Sequence, residues 1–564
     1  MATAVAAVPA VRKLARDEWI ARGAVVAIAL WLTITVALPL WALLAKSFQN
    51  KDGAFIGLAN YATYFSSPAL FSSFWNSVTV ALIATAVTLP GAFLYAYALT
   101  RSAMKARGLF SALAMIPILA PSLLPALALV YLFGNQGLLR SFLFGHSIYG
   151  PLGIVIAEAF YTFPHALLIL VTALATADAR LYESAAALGA SPRRIFFTVT
   201  LPGARYGILS AALVAFTLVI TDFGVPKVIG GRFNVLATDV YKQVIGQLNF
   251  QLGAVVGMML LVPAVLSFGA ERLVRRKQMA QLTAQAVPLV PRPKPLSDWL
   301  SFGLCTLIII PIVTLLATAA WASFIKFWPY NLSLSLSNYN FWKFEIQGWR
   351  TYWNSLEMAA WTALIGTTVI FTGAYLQEKT RGIPFVRSLV QLFAMLPLAV
   401  PGLVLGISYI FFFNNPRNPL GFLYGTLAIM VINTIAHFYT VTHLTATTAL
   451  KQLDSEFEAV STSLRAPFYR TFWKVTVPVC LPAILDIAVY LFVNAMTTVS
   501  AVIFLWVPHT RVASIAVVYM DETGRQEAAA AMAMMIVYTS AAVKLLHFLL
   551  ARILDRKTQS WRRR

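Results

Sequence analysis

The chain has 564 residues, 59% of them hydrophobic and only 11% charged, with a mean hydropathy of +0.75. Soluble domains carry roughly 25% charged residues, so a soluble globular class is excluded. The net charge of +22 is spread over short segments between apolar blocks, which is not the pattern of a nucleic-acid-binding surface.

In chain order the apolar blocks cover 22–45, 75–98, 109–133, 151–174, 206–226 and 252–270, then 299–323, 353–376, 388–413, 421–446, 480–505 and 526–551. Each approaches the 20 or so residues that a spanning helix needs. The expected fold is an all-α polytopic membrane protein of about twelve transmembrane helices. A membrane barrel would instead alternate over strands of roughly 10 residues. The first block contains Trp31 and Trp41 and has no clear small-residue cleavage site, so it is expected to be retained. With the N-terminus placed in the cytoplasm, 31 of the 43 lysines and arginines fall on inside segments. Both termini are therefore expected to be cytoplasmic. The tail Trp561–Arg564 is expected to anchor near anionic lipid. Cys305 and Cys480 lie in or beside apolar blocks and offer neither a disulfide framework nor a metal spacing.

The chain repeats itself. Trp75-Asn76-Ser77 returns as Trp353-Asn354-Ser355, and Thr100-Arg101 as Thr380-Arg381. Met115-Ile116-Pro117 with Pro121 returns as Met395-Leu396-Pro397 with Pro401, and Val240-Tyr241 as Val518-Tyr519. The expected organisation is a first six-helix half over 1–270, a linker over 271–298 and a second half over 299–564. The linker run Val290–Pro295 alternates proline with basic residues and is expected to be semi-rigid. Both halves start and end on the same side, so the repeat is parallel and its axis lies near the membrane normal.

A polar loop of about 30 residues separates the fourth and fifth blocks. Its Ala-rich stretch from Tyr182 to Leu188 favours helix. Gly189 suits a helix stop, Ser191 an N-cap and Pro192 the first turn of the next helix. A degraded copy runs from Glu458 and Ala459 through Arg465 and Pro467 to Pro478.

Glu183-x-Ala185, Gly189 and Leu201-Pro202 resemble the EAA loop of binding-protein-dependent ABC importer permeases. The resemblance implies a coupling helix, with Glu183, Ala185, Gly189, Ser191 and Pro192 docking on a separate ATPase. Glu458, Ala459, Arg465 and Pro467 would form the second, altered contact. It further implies two ATPase copies, an extracytoplasmic solute-binding protein and a bacterial inner-membrane location. Within that family Ile220–Lys227, Asn234–Lys242 and Phe468–Cys480 resemble the fused permeases assigned to 2-aminoethylphosphonate uptake. Fused ferric-iron permeases share the same plan. The chain has no Gly-Lys dipeptide and so no phosphate-cradling loop, and ATP is expected only on the partner subunit. No cofactor, metal or catalytic set is expected on this chain, which reads as a transport subunit and not an enzyme.

Ionisable or strongly polar side chains inside apolar blocks are costly and point to a route. Glu158 aligns with Asn433, with His165 and His437 one to two turns further on, and Asp222 aligns with Thr498. Asn494, Thr497, Thr498 and Ser500 add a polar stripe. Glu158, Asn433, Asp222, Asn494 and Thr498 are the expected pathway residues. A local Asp222–Lys227 ion pair is expected, as are a basic outer vestibule of Lys227, Arg232 and Lys242 and a snorkelling Asp486. The paired prolines should kink the third and ninth spans. The reading from another class is a twelve-helix secondary transporter relaying protons through Glu158, Asp222 and the histidines. Against it, the loop Thr100–Gly108 lacks the pattern of the major facilitators.

Overall fold

The computed structural model describes residues 16–281, 287, 289–380, 383–454, 456–464 and 466–558. The tail Trp561–Arg564, Arg381 and Arg465 lie outside the described residues, as does the side chain of Glu458. Among the described residues nine helices are long and apolar enough to span a membrane, or up to twelve if each of three bent pairs is one span. The fold is an all-α polytopic membrane protein.

The first half contains α1 (Asp17–Ser47), α2 (Pro68–Arg101), α3 (Arg107–Leu119), α4 (Leu123–Phe133) and α5 (Pro151–Ala175). It continues with α6 (Ala179–Ala187), α7 (Pro192–Thr221), α8 (Gly224–Ile229), α9 (Leu236–Tyr241) and α10 (Phe250–Gln281). The second half contains α11 (Pro295–Phe324), α12 (Arg350–Lys379), α13 (Pro384–Ala399), α14 (Gly402–Phe413) and α15 (Leu427–Lys451). It ends with α16 (Glu456–Ser463), α17 (Phe468–Val479), α18 (Leu481–Thr497), α19 (Ala513–Glu522) and α20 (Gln526–Thr558).

The first helix of each half packs against the other half. Trp31 of α1 meets Tyr439 of α15 with ring centroids 5.6 Å apart. The fully buried Tyr409 of α14 donates its hydroxyl to the Thr35 carbonyl at 2.7 Å. That carbonyl lies in a π-turn over Thr33–Ala37, where the wider winding turns a backbone oxygen outward. Reciprocally, Phe302 of α11 meets Phe110 of α3 at 5.3 Å, and the Asp298 carboxylate accepts from the Ala103 amide at 2.8 Å. Amphipathic periodicity inside each block carries no trace of this exchange.

The paired prolines do more than kink their helices. At Ala120, before Pro121, the backbone is extended, and α3 and α4 meet at 99°. At Val400, before Pro401, α13 and α14 meet at 118°. A residue preceding proline is pushed out of the helical region, and proline itself donates no amide, so two nearby prolines stop the helix outright. The fifth and eleventh blocks also end earlier than their hydropathy suggests. α7 stops at Thr221 and α18 at Thr497, each followed by an extended residue, Asp222 or Thr498. α17 and α18 are bent by 77° at Cys480.

The breaks close on one another in pairs. In the first half a Cβ on Gly224 would collide with the Ser122 hydroxyl, so the two breaks touch there. In the second half the residue types are exchanged: a Cβ on Gly402 would meet the Ser500 hydroxyl at 2.6 Å. One glycine against one serine lets backbone approach backbone while leaving a hydroxyl to satisfy freed polar groups.

Replacing Tyr409 with Phe removes the only change of chemistry at the buried Thr35 contact without leaving a void. The expected loss is about 1–3 kcal/mol, the cost of a buried polar group left unmet. It is read as a lower unfolding midpoint of the detergent-solubilised chain. An unchanged midpoint would mean that the helix exchange does not depend on this bond.

Candidate functional site

Two features stand out: a cavity between the halves and the pair of polar loops. The cavity has a volume of about 330 Å³. Its wall is made of all four breaks: Ser122 and Asp222 from the first half, Gly402 and Thr498 from the second, each with its neighbours. Tyr161, His165, His437, Tyr490, Asn494 and Thr497 add to its polar lining. No lysine or arginine is among its lining residues, and Asp222 is the one carboxylate there.

The five expected pathway residues gather at this place, though not all reach the lumen. Asp222, Asn494 and Thr498 line it. Glu158 and Asn433 are fully buried behind the wall. The Asn433 amide donates to the Ala501 carbonyl at 2.7 Å and so holds the second-half break. In the first half the Val225 amide donates to Asp222 at 2.8 Å, and the Ser122 hydroxyl reaches the same carboxylate. Asn494 donates to the Tyr490 carbonyl one turn back at 2.8 Å, which spares its carbonyl oxygen for the cavity. Thr498 offers its backbone carbonyl to the Ser514 hydroxyl at 2.7 Å.

One expectation for charged residues is overturned and another is reduced. Asp222 does not pair with Lys227. Its carboxylate is turned to the α8 amides, while the Lys227 ammonium crosses to Glu522 of the second half at 2.5 Å and lies over the Tyr241 ring at 4.5 Å. The basic vestibule is correspondingly reduced to Arg232 and Lys242, both exposed, and the Lys242 ammonium also donates to the Asn234 side chain. Asp486 is exposed and faces His547 of α20 at 3.2 Å.

The first polar loop forms the helix–turn–helix that its residues suggest. Asp178 caps α6, accepting from the Arg180 amide at 3.0 Å, and a 2.6 Å ion pair with Arg180 accompanies the cap. Hydrogen bonding from Arg180 holds the Asp178 carboxyl down at about 2, so the cap keeps its charge at every physiological pH. Gly189 has φ +73°, the left-handed stop. Around it the Ala190 amide donates to the Ala185 carbonyl and the Gly189 amide to Ala186, both at 3.0 Å, which is a Schellman closure. The Ser191 hydroxyl accepts from the Arg194 amide at 3.3 Å, with Pro192 in the first turn of the next helix. Glu183 is exposed, and Leu188 is 87% exposed at the end of α6.

The second loop closes in the same way with different residues. The Ala466 amide donates to the Ser461 carbonyl at 2.9 Å, the counterpart of the bond at Ala190. Pro467 occupies the N-cap position itself and the next helix begins at Phe468. Ala459 lies in α16, and Leu464 is 75% exposed at the position matching Leu188.

Sequence reasoning missed two anchors of the first loop. Arg101 donates to the Leu174 carbonyl at 2.8 Å and to the Tyr182 hydroxyl at 3.2 Å, fastening α6 to the ends of α2 and α5. The repeated Thr-Arg pair at the end of α2 was the available signal. The inter-half linker supplies the second anchor: the Val287 carbonyl accepts from the Ala179 amide at 2.9 Å, at the first turn of α6. Nothing in the residue pattern marks that contact.

Comparison with known proteins gives two matches to one family model, described as "Binding-protein-dependent transport system inner membrane component", over residues 100–279 and 370–560. The ferric transport system permease protein FbpB of Actinobacillus pleuropneumoniae is 27% identical over 472 residues, 79% of this chain and 66% of that protein. A putative ferric transport system permease protein FbpB 1 of Haemophilus influenzae is 29% identical over 451 residues, 76% of this chain and 68% of its own. The chain thus spans about two thirds of the length of these relatives. The spermidine/putrescine transport system permease protein PotB of Haemophilus influenzae is 28% identical over 265 residues, 44% of this chain but 92% of its own.

The open space around Gly189 makes its substitution a clean test of the stop, since a Cβ there would meet nothing within 4 Å. Gly189→Val should cost the loop roughly 1–2 kcal/mol through its left-handed backbone alone. Gly189→Asn, which tolerates that conformation, should cost less. Hydrogen exchange at the α6 amides reads the difference, and equal protection in both variants would contradict this account of the stop.

Proposed function

The chain belongs to the family of binding-protein-dependent transport system inner membrane components, and on that premise we propose that it is a two-half permease subunit of an ATP-driven ABC importer. The observation that carries this reading is the twofold arrangement of closed, exposed helix–turn–helix loops around one interfacial cavity. α6 and α16 follow the fourth span of their halves and are six spans apart, so they emerge on the same face. Each is followed by an exposed leucine, Leu188 or Leu464. An apolar tip on a polar loop is what a cytoplasmic ATPase subunit could cover, one copy per loop. Glu183, Ala185, Gly189, Ser191 and Pro192 form the first contact; Glu458, Ala459, Arg465 and Pro467 form the second.

In this reading solute arrives from an extracytoplasmic binding protein and passes through the cavity, and the two ATPase copies hydrolyse ATP. This chain contributes neither nucleotide site nor reaction. It lies in a bacterial inner membrane with both termini cytoplasmic. The proposed solute is 2-aminoethylphosphonate or a related phosphonate, supported by the stretches Ile220–Lys227, Asn234–Lys242 and Phe468–Cys480. Ferric iron is the second reading, favoured by the names of the two relatives that match most of the chain.

Proteoliposomes holding the full chain with its ATPase, supplied with the binding protein, should accumulate 2-aminoethylphosphonate only when ATP is present on the ATPase side. Uptake of ferric iron in place of the phosphonate would replace the first substrate with the second. Gradient-driven uptake by the chain alone would overturn the importer reading.

A further inference from the structure

The acidic pair in the first half has no structural task that its counterpart in the second half does not perform without charge. Asn433 and Thr498 stand where Glu158 and Asp222 stand, and they secure the second break through an amide and a backbone carbonyl. In the first half both residues are acids. The Glu158 carboxyl is turned toward that of Asp222. It is fully buried, and apart from the hydrogen bond it shares with Asp222 neither of its oxygens has a donor among the described residues. Two carboxylates in contact away from water cannot both stay charged, and the hydrogen bond between them needs one proton, which leaves the pair a single negative charge on the cavity side.

The surroundings hold no resident cation. Lys227, the closest basic residue in sequence, is committed to Glu522 across the interface. No lysine or arginine lines the cavity, and its histidines are already spoken for in part, with the His165 ring at 3.2 Å from the Tyr161 carbonyl. Asp222 is half-buried, and its open side is the cavity. Among the described residues no three histidine, cysteine or carboxylate side chains converge as a metal site. A single ammonium group needs less: one exposed carboxylate, a second behind it, and neutral acceptors opposite. Asn494 and Thr498 supply those acceptors across the lumen.

We propose that Asp222, backed by Glu158, is a binding site in the cavity wall for the ammonium group of the transported solute. The proposal rests on the permease reading above and narrows it. Solutes bearing an amine are held within the membrane domain, and amine-free analogues of the same shape are not. A fully anionic phosphonate would meet a carboxylate and no cation. The site belongs to the first half alone, so a solute with one amine would bind in one orientation in an otherwise twofold cavity.

The test uses the full wild-type chain in liposomes and N,N′-dicyclohexylcarbodiimide, which modifies carboxyl groups in apolar surroundings. Modification of Glu158 and Asp222 is mapped by mass spectrometry with 2-aminoethylphosphonate, ethylammonium or ethylphosphonate present. Both amines should slow it, by about tenfold at ten times their dissociation constant, as expected for simple occupancy. Ethylphosphonate should not. Equal protection by ethylphosphonate, no protection by either amine, or no modification even without amine would each overturn the proposal; the second outcome would leave the pair as a shared-proton site. Asp222→Asn should abolish protection of Glu158 by amines, and retained protection would also overturn it. Because ethylammonium carries no phosphonate, protection can succeed while uptake of 2-aminoethylphosphonate fails, which would discard the substrate assignment and keep the amine site.

Discussion

A polypeptide inside a bilayer must meet every backbone amide and carbonyl from within the protein, and at the interface of its halves the described residues hold four places where helices stop short of doing so. Lipid supplies no donors or acceptors, so irregular backbone survives at depth only where protein or a watery cavity faces it. All four breaks, two made by proline pairs and two after α7 and α18, come together at the interface of the halves. The cavity there follows from the need to solvate them. Its polar lining consists largely of the groups that ended the helices, together with residues on α5, α15 and α18 that face them.

Duplication explains why the breaks come in matched pairs, and divergence explains why the pairs are unequal. The glycine–serine contact is kept with its partners exchanged, Gly224 on Ser122 and Gly402 on Ser500. Packing is indifferent to which strand of the contact carries the hydroxyl. Charge is not indifferent, and Glu158 and Asp222 break the symmetry where Asn433 and Thr498 would have sufficed. The polar loops show the same history: Ala190 and Ala466 close with equivalent bonds, although a glycine precedes one and an arginine the other. Among the described residues the linker is tied to the first loop, through Val287.

Much of this architecture is legible in the residues. Block hydropathy set the class, and the Tyr182 to Pro192 run announced a helix, a glycine stop and an N-cap for the next helix because each depends on near neighbours, whereas the Asp178 cap was not read. What stayed hidden depends on distant partners. The exchange of α1 and α11 rests on contacts such as Tyr409 with Thr35, separated by most of the chain. Lys227 looked like a partner for Asp222, five residues away, but the short spacing turned the carboxylate to its own α8 amides and left the ammonium for Glu522. Hydropathy also overran the ends of α7 and α18, since an extended residue after a helix can be as apolar in context as one inside it.

If the four breaks are the moving wall of a single route, Thr221 and Thr497, at equivalent ends of α7 and α18, must change exposure together. The direct measurement places a cysteine at each position in a chain without Cys305 and Cys480 and follows labelling by a membrane-impermeant maleimide from either face. The account predicts that both positions react from one face when the ATPase is nucleotide-free and from the opposite face when it holds ATP. Labelling of either position from the same face in both states would contradict it.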